Sequence, residues 1–527
     1  MEETVPASQN TLLGKVALSS LYNLFLGRMS GSLLNLLMLV VVARLLQPSD
    51  YGVYILAVGF AALIGAFNAF GVGSYFLRNL SEMAEDKDPG TVGRILSNGL
   101  FLLVPLASIS ALVGIAISPF VAAAFFNGST VAPLTLMIAC AYLPFQAIAT
   151  GGLYNILIGF RKSKLAALTY FTSSLVQLIA SIALVYYGFG VDGALAGLVI
   201  GSAAGLLIGV YYVFTTIKSY GKVTIRIPSW EELRKVTSFS MPLAFNNFLS
   251  FGLGGFAILF LGLFVASAQL GNYGIANRGI SFITLIYGTV LTVLLQAFSY
   301  AHRVTKSERA NYTYNKILLY SFSITLPMLV FVGIFAHAEI YLLVSSKYAE
   351  APELFSLMVF GTAINIVGIY VTNLLVANGF SRAILKYNVI STVIQLLLVV
   401  ALVPYFGIIG GIFALFFVGS VVDDLLLLHG ARLLVGFRLR AGKFARLVIS
   451  ALCLGFLLWL CLLIGNFVLE IAVGLIVSLA AYPILLFATG TLDAEDMEII
   501  RGSSAGIWIL EWGTGAMMRY LKLFFKI

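Results

Sequence analysis

The chain has 527 residues, 60% of them apolar and only 10% charged, whereas a soluble domain carries about 25% charged and 45 to 50% apolar residues. Lys and Arg number 31 against 22 Asp and Glu, a net charge of +9. These totals exclude a soluble enzyme, a disordered chain and a secreted disulfide scaffold, and at roughly 35 residues per span and loop they leave room for about 15 membrane spans.

The N-terminus from Met1 to Gly14 is polar. It lacks a basic region followed by a short apolar stretch and a small-residue cleavage site, so the first span is expected to serve as the membrane anchor. Apolar runs of at least about 18 residues between polar breaks predict fourteen helices. Six fall at 20–43, 51–77, 95–118, 131–158, 165–187 and 193–217, and a polar stretch, 218–238, follows. Six more fall at 239–266, 273–298, 316–337, 354–377, 383–405 and 410–434, and two last ones at 447–468 and 471–490. The expectation is an all-α polytopic membrane protein: an N-lobe over 1–217, a connector over 218–238, a C-lobe over 239–434, two further helices over 447–490, and a tail over 491–527.

Position explains the positive charge. With a cytoplasmic N-terminus, the loops on that side hold 27 of the 31 Lys and Arg. The outer loops hold only Arg44 and Lys347, and Arg28 and Arg278 lie within spans. This split follows the positive-inside rule and places both termini in the cytoplasm of a plasma-membrane protein. Nucleic acid is not an expected partner.

An internal repeat runs through the chain. The segment from Gly159 can be laid over that from Gly379, matching Gly159-Phe160 with Gly379-Phe380, Gln177 with Gln395, Gly193 with Gly411 and Gly201-Ser202 with Gly419-Ser420. Upstream, Asp50-Tyr51-Gly52-Val53 answers Asn272-Tyr273-Gly274-Ile275, and the offset stays between 218 and 222. Six spans per unit is an even number, so both copies enter the membrane in the same sense. Such parallel repeats suit alternating access, with a site expected between the halves.

Three motifs carry a family resemblance: Ala43-Arg44-Leu45-Leu46-Gln47-Pro48-Ser49-Asp50-Tyr51-Gly52; Glu232-Leu233-Arg234-Lys235 through Ser238-Phe239-Ser240-Met241-Pro242-Leu243; and Leu270-Gly271-Asn272-Tyr273-Gly274. Over roughly residues 15–490 the chain resembles the polysaccharide flippase branch of the multidrug/oligosaccharidyl-lipid/polysaccharide (MOP) exporter superfamily. The resemblance implies twelve helices in two lobes plus two extra, and movement of a polyprenyl-phosphate-linked glycan across the bilayer using ion gradients or the membrane potential. It also implies glycan-assembly enzymes as partners, and neither enzymatic activity nor a cofactor beyond a coupling H+ or Na+.

Ionisable groups inside spans are costly and mostly face a cavity or a partner. Arg28 sits about 12 Å into the first span at 1.5 Å per residue. Its guanidinium offers a donor fork suited to the substrate's phosphate, and Arg278 in the eighth span is its counterpart; the resemblance implies arginines on these two helices. The alternative is that each side chain snorkels to the nearer interface. Asp423 and Asp424 form the only acidic pair within a span. They align with Gly205 and Leu206, so the duplication did not bring them. Like charges this close favour taking up a cation, which suits H+ or Na+ coupling. Against that, adjacent helical positions point about 100° apart, so the two cannot squarely face one cavity. Asp424 and Arg432 are otherwise a polar lining near the cytoplasmic end.

The remaining features are less specific. Lys218 to Lys235, with Trp230, reads as an interfacial segment or a solvated connector. The tail aromatics Trp508, Trp512, Tyr520, Phe524 and Phe525 suggest an interfacial helix. Asn127-Gly128-Ser129 is a glycosylation sequon in an outer loop. Cys140, Cys453 and Cys461 read as small hydrophobes, and His302, His337 and His429 have no metal or triad spacing. Competing functions are a drug or organic-cation exporter of the same superfamily, which calls for an anionic cavity, a membrane-embedded transferase, for which no large outer domain is present, and a non-transporting scaffold.

Overall fold

The computed structural model describes residues 30–66, 68, 71–82, 88–125, 131–281, 283–284, 298, 307–493 and 496. Every regular element among them is helical. In chain order these are α1 (Ser30–Leu45), α2 (Pro48–Gly65), α3 (Val72–Glu82) and α4 (Pro89–Phe125), then α5 (Pro133–Gly159). Next come α6 (Ser163–Leu184), α7 (Gly190–Lys218) and α8 (Trp230–Phe264), then α9 (267–281). The remainder are α10 (Ser307–Leu343), α11 (Ala351–Ala377), α12 (Ser381–Ile412), α13 (Gly419–Val435), α14 (Ala441–Cys461) and α15 (Phe467–Ala488). The chain divides into two compact units, Met1–Gly274 with Val399–Gly411, and Ile275–Leu398 with Ile412–Ile527.

Among the described residues, ten stretches are long and apolar enough to cross a membrane. Two of them, Ser163–Lys218 and Ser381–Val435, run to 56 and 55 residues. As straight helices these would be about 80 Å long, more than twice a ~30 Å hydrocarbon core. Each instead folds back without a loop. Gly190 (φ 51°, ψ −131°) ends the first arm of one, and Gly407 (φ 54°, ψ −133°) breaks the other; only glycine adopts this region cheaply. In the first hairpin Gly201 packs on Gln177, Gly205 on Ser173 and Gly209 on Thr169, the descending numbers of antiparallel partners.

The predicted span over 51–77 is not one helix. α2 stops at Gly65, and Gly71, with φ 67°, precedes the short helix α3. α3 buries Phe76 and Leu80 in the core of the first unit with Leu103, Ile156 and Leu157, while Arg78 pairs with Glu82 on its exposed side at 3.2 Å. Within the stretch 218–238, the helix begins at Trp230. Ser229 Oγ accepts from Glu232 N–H at 3.3 Å and the Glu232 carboxylate accepts from Ser229 N–H at 2.9 Å, a reciprocal cap. The bond from Ser229 N–H, with Arg226 alongside, holds the Glu232 carboxyl below the usual carboxylate range.

The structure sharpens the repeat and corrects its register. Arg161 N–H donates to Ile158 O and Lys162 N–H to Leu157 O, both at 2.8 Å; Gly379 N–H donates to Val376 O and Phe380 N–H to Leu375 O, both at 3.0 Å. Both turns are the same helix-ending motif with a positive φ, 58° at Arg161 and 82° at Gly379. Arg161 therefore corresponds to Gly379, not Gly159. Gly193 lies against Leu184 and Phe189 as Gly410 lies against Leu402 and Phe406, so Gly193 corresponds to Gly410 rather than Gly411. The single-residue slip between these points coincides with a wide π-turn at Val185–Phe189, and a second one at Phe413–Val418 takes it back before Gly201 and Gly419. Each π-turn accommodates one extra residue.

In the first unit the N-terminal turns of α2 and α9 cross backbone to backbone. A Cβ at Gly52 would overlap the carbonyl oxygen of Ser267, and one at Gly271 would overlap that of Pro48. Gly52 thus corresponds to Gly271, three residues from the match suggested by Asp50-Tyr51-Gly52 and Asn272-Tyr273-Gly274.

In the second unit a buried ion-pair cluster ties α10, α14 and the chain after α15. Asp496, fully buried, meets Lys316 at 2.9 Å and Lys443 at 3.4 Å and accepts from Tyr320 OH at 2.7 Å; Lys443 also reaches Asp493 at 3.1 Å. Burial opposes ionisation of Asp496, yet the hydrogen bonds from Tyr320 and Lys316 and the charge of Lys443 outweigh it and bring the carboxyl down to about 2.

Two outcomes follow from this packing. Gly271→Val is expected to destabilise the protein at or above the usual ~1–3 kcal/mol of overpacking, read as a lower melting temperature in detergent, while Gly254→Ala, where a Cβ meets nothing within 4 Å, leaves it unchanged. Because the carboxyl of Asp496 is depressed, its stabilisation is present above the ordinary carboxylate value and lost as pH falls through about 2. Asp496→Asn should therefore lower stability by up to roughly 2 kcal/mol at neutral pH, and the gap to the parent should close between about pH 4 and pH 2 in a pH series of melting curves.

Candidate functional site

Within the second unit, three helices bring polar side chains to one buried point. α11 contributes Asn365 and Gly368, α12 contributes Ser391 and Gln395, and α13 contributes Asp423 and Asp424. Asp424, 8% exposed, accepts from the Gly368 N–H at 2.7 Å. Asp423 accepts from Asn365 Nδ2 at 3.5 Å and from the hydroxyl of Ser391, which also accepts from Gln395 Nε2 at 3.0 Å. A Cβ at Gly368 would overlap Asp424 Oδ1 and sit 3.4 Å from Asp423 Oδ2. Both carboxylates therefore converge on one glycine-sized gap in α11. Although adjacent helical positions point about 100° apart, a carboxylate oxygen of each reaches the same neighbour.

α13 continues the helical chain that starts after Gly407. About 18 Å of helix separates Asp423 from its end at Val435. Arg432 is exposed and shares no ion pair with Asp424.

The repeat shows how the point arose. Gly205 and Ser173 occupy the corresponding places in the first unit, where Ser173 Oγ donates to Gly201 O at 2.9 Å. Asp423 replaces the glycine, and Ser391, the counterpart of Ser173, serves the carboxylate instead. Ser391 and Gly368 drew no notice in the sequence; the alignment of Ser173 with Ser391 beside Gly205 with Asp423 was the available signal.

Carboxylate, carboxamide and hydroxyl oxygens are hard donors that suit a proton or a small hard cation. Among the described residues no group of three or more His, Cys, Asp or Glu is placed to hold a metal ion.

Arg278 is not part of this point. Arg278 is exposed on α9, about two turns beyond the crossing at Gly271. Arg28 lies outside the described residues, as do the sequon at Asn127, His302 and the aromatic tail. His337 stacks on Tyr341 at 4.4 Å near the end of α10, an ordinary helix-end position.

With this geometry in hand, the known proteins decide the family. The family described as polysaccharide biosynthesis protein matches residues 41–353, more than half of the chain. The chain belongs to this family. An uncharacterized membrane protein of Methanocaldococcus jannaschii is 23% identical over 388 residues, covering 70% of this chain and 75% of its own. Among solved structures, the lipid II flippase MurJ in an inward closed conformation superposes with a TM-score of 0.70 at 16% identity, covering 88% of this chain and 99% of that one. An inward-facing multidrug resistance MATE transporter of the MOP superfamily superposes at 0.64 and 17% identity, covering 77% and 94%. The polysaccharide biosynthesis protein described here thus shares the fold of these MOP-superfamily structures, with ten helical stretches long and apolar enough to cross a membrane among its described residues.

The convergence on Gly368 is directly testable in this family member. Gly368→Ala should displace Asp424 and lower stability by about 1–3 kcal/mol. Combined with Asp424→Asn, the losses should be non-additive by at least about 0.5 kcal/mol, since the two residues share one contact; additive melting shifts would place them apart.

Proposed function

We propose that the protein flips a polyprenyl-phosphate-linked oligosaccharide or polysaccharide repeat unit across the plasma membrane by alternating access, driven by an ion gradient or the membrane potential. The observation that carries this reading is the pairing of a polysaccharide-biosynthesis family with a fold that covers 99% of a lipid II flippase. In this reading the two hairpins count as two spans each, which with α1 and α9 makes fourteen, and both termini lie in the cytoplasm, a placement supported by the skewed Lys and Arg distribution. The N-lobe spans 1–217 and the C-lobe 239–434. Arg28 and Arg278 bind the phosphate of the lipid carrier through their guanidinium forks. Asp423 and Asp424 take up the coupling H+ or Na+; they bond across helices rather than within their own.

The MATE likeness at a TM-score of 0.64 supports a second reading, export of organic cations. The two are separated by cargo charge. Reconstituted into proteoliposomes with labelled lipid-linked oligosaccharides, the parent is expected to move the glycan across the bilayer, and Arg28→Ala to slow it at least about tenfold, the loss of one charge-assisted contact. Asp423→Asn with Asp424→Asn should retain lipid-glycan binding while removing the dependence of transport on an imposed H+ or Na+ gradient. Efflux of cationic dyes with no glycan movement would instead select the exporter.

A further inference from the structure

The second unit also carries a cationic pocket that neither the family nor the proposed transport assigns. It lies beside the buried ion cluster, where α10 meets the turn 436–440 and the first turn of α14. A small recess, open to solvent, is lined by Tyr312, Asn315, Lys316, Leu319, Arg440, Lys443 and Phe444.

Its cations are fixed in place before any ligand arrives. Asn311 Oδ1 accepts from Arg438 N–H at 2.8 Å; Asn315 Oδ1 accepts from Arg440 N–H at 2.8 Å while its amide donates to Arg438 O at 2.9 Å. These three bonds clamp the turn to α10. Arg440 then lies 4.9 Å from the centre of the Tyr312 ring and Lys316 lies 5.0 Å from it, so one aromatic ring orients both charges. Asp496 and Asp493 neutralise Lys316 and Lys443 from behind, whereas Arg440 meets no carboxylate among the described residues. Among the described residues the three cations Lys316, Arg440 and Lys443 outnumber the two carboxylates, and the apolar Leu319 and Phe444 complete the lining.

The surface beyond it indicates what the ligand carries. From Phe444 an exposed apolar stripe of Val448, Leu452, Phe456 and Trp459 runs up α14 at helical spacing. A soluble anion has no use for such a stripe, but an amphiphile with a phosphate at one end and acyl chains at the other matches both parts. The pocket is also on the side where the Lys and Arg distribution places the cytoplasmic leaflet. We propose that this pocket holds the phosphate of an anionic phospholipid of that leaflet, with Arg440 and Lys316 on the phosphate oxygens and the acyl chains along α14. Basic pockets between helices on the cytoplasmic side are suited to such headgroups.

The test is native mass spectrometry of the full-length protein in detergent, titrated with phosphatidylglycerol, phosphatidylcholine or inorganic phosphate. Selective phosphatidylglycerol binding is expected. Arg440→Gln should weaken it about fivefold, equivalent to the ~1 kcal/mol of one basic residue at an anionic surface. Tyr312→Leu, which removes the ring both cations face, should weaken it in the same direction, and Arg432→Gln, an exposed charge outside the pocket, should leave it unchanged. Equal binding of phosphatidylcholine, saturation by inorganic phosphate in place of lipid, or unaltered phosphatidylglycerol affinity in both Arg440→Gln and Tyr312→Leu would overturn the assignment.

Discussion

Hydrocarbon offers no partner to a backbone N–H or C=O, so a chain that lives in it must satisfy each of these groups within its own helices. Much of the architecture follows from that requirement. The hairpins at Gly190 and Gly407 turn without a loop, so little backbone is left unpaired at the reversal. Small polar side chains return to their own helix: Ser118 bonds to Gly114 O at 2.7 Å, Thr169 to Leu165 O at 2.9 Å and Thr362 to Met358 O at 2.8 Å. Such residues are polar in name but self-contained in effect. Against this background a polar group that bonds across helices is informative, and Asp423 and Asp424 do so.

Duplication supplied the frame and substitution supplied the chemistry. The matched turns at Arg161 and Gly379 and the matched reversals at Gly190 and Gly407 show that backbone conformation is kept where side chains are not; a non-glycine residue is even tolerated at a left-handed position in one copy. At one pair of positions the difference has consequences. Gly205 allows close packing on Ser173, whereas Asp423 converts the same geometry into a carboxylate held by a hydroxyl and a carboxamide. A buried carboxylate without such partners would be strongly unfavourable, and Ser391, Asn365 and the gap at Gly368 supply them here.

Apolar length made the membrane class and the broad order of spans readable from the sequence, because about 20 residues per crossing is a coarse requirement that composition satisfies visibly. The register of the repeat was not readable to the residue. In segments built from Leu, Ile, Val, Ala and Gly many alignments match equally well, and a π-turn that absorbs one residue leaves no mark in composition. The break between α2 and α3 was hidden for a similar reason: Gly71 marks a bend, but the residues on both sides are apolar enough to read as one span. At the site the acidic pair was legible and its convergence was not, since that depends on the missing side chain of Gly368 on another helix. Asp496 was not singled out in the sequence because its partners, Lys316 and Lys443, lie far away in the chain.

The carboxylate pair and the ion cluster both belong to the second unit, yet they differ in what a proton does to them. Asp496 is encircled by cations and bonded to Tyr320, so its carboxyl keeps its charge at any physiological pH and acts as a fixed rivet. Asp423 and Asp424 face an amide N–H, a carboxamide and a hydroxyl, with no Lys or Arg ion pair among the described residues. Neutral donors stabilise a carboxylate less than a cation does, so the balance between occupied and empty states there is closer. In the proposed coupling role, a cation at that point would weaken the pull on Gly368 N–H and Asn365, and both lie on α11. A change of one charge would thereby reach the packing of a whole helix, the kind of lever that the proposed ion-driven transport requires and that a rivet such as Asp496 cannot provide.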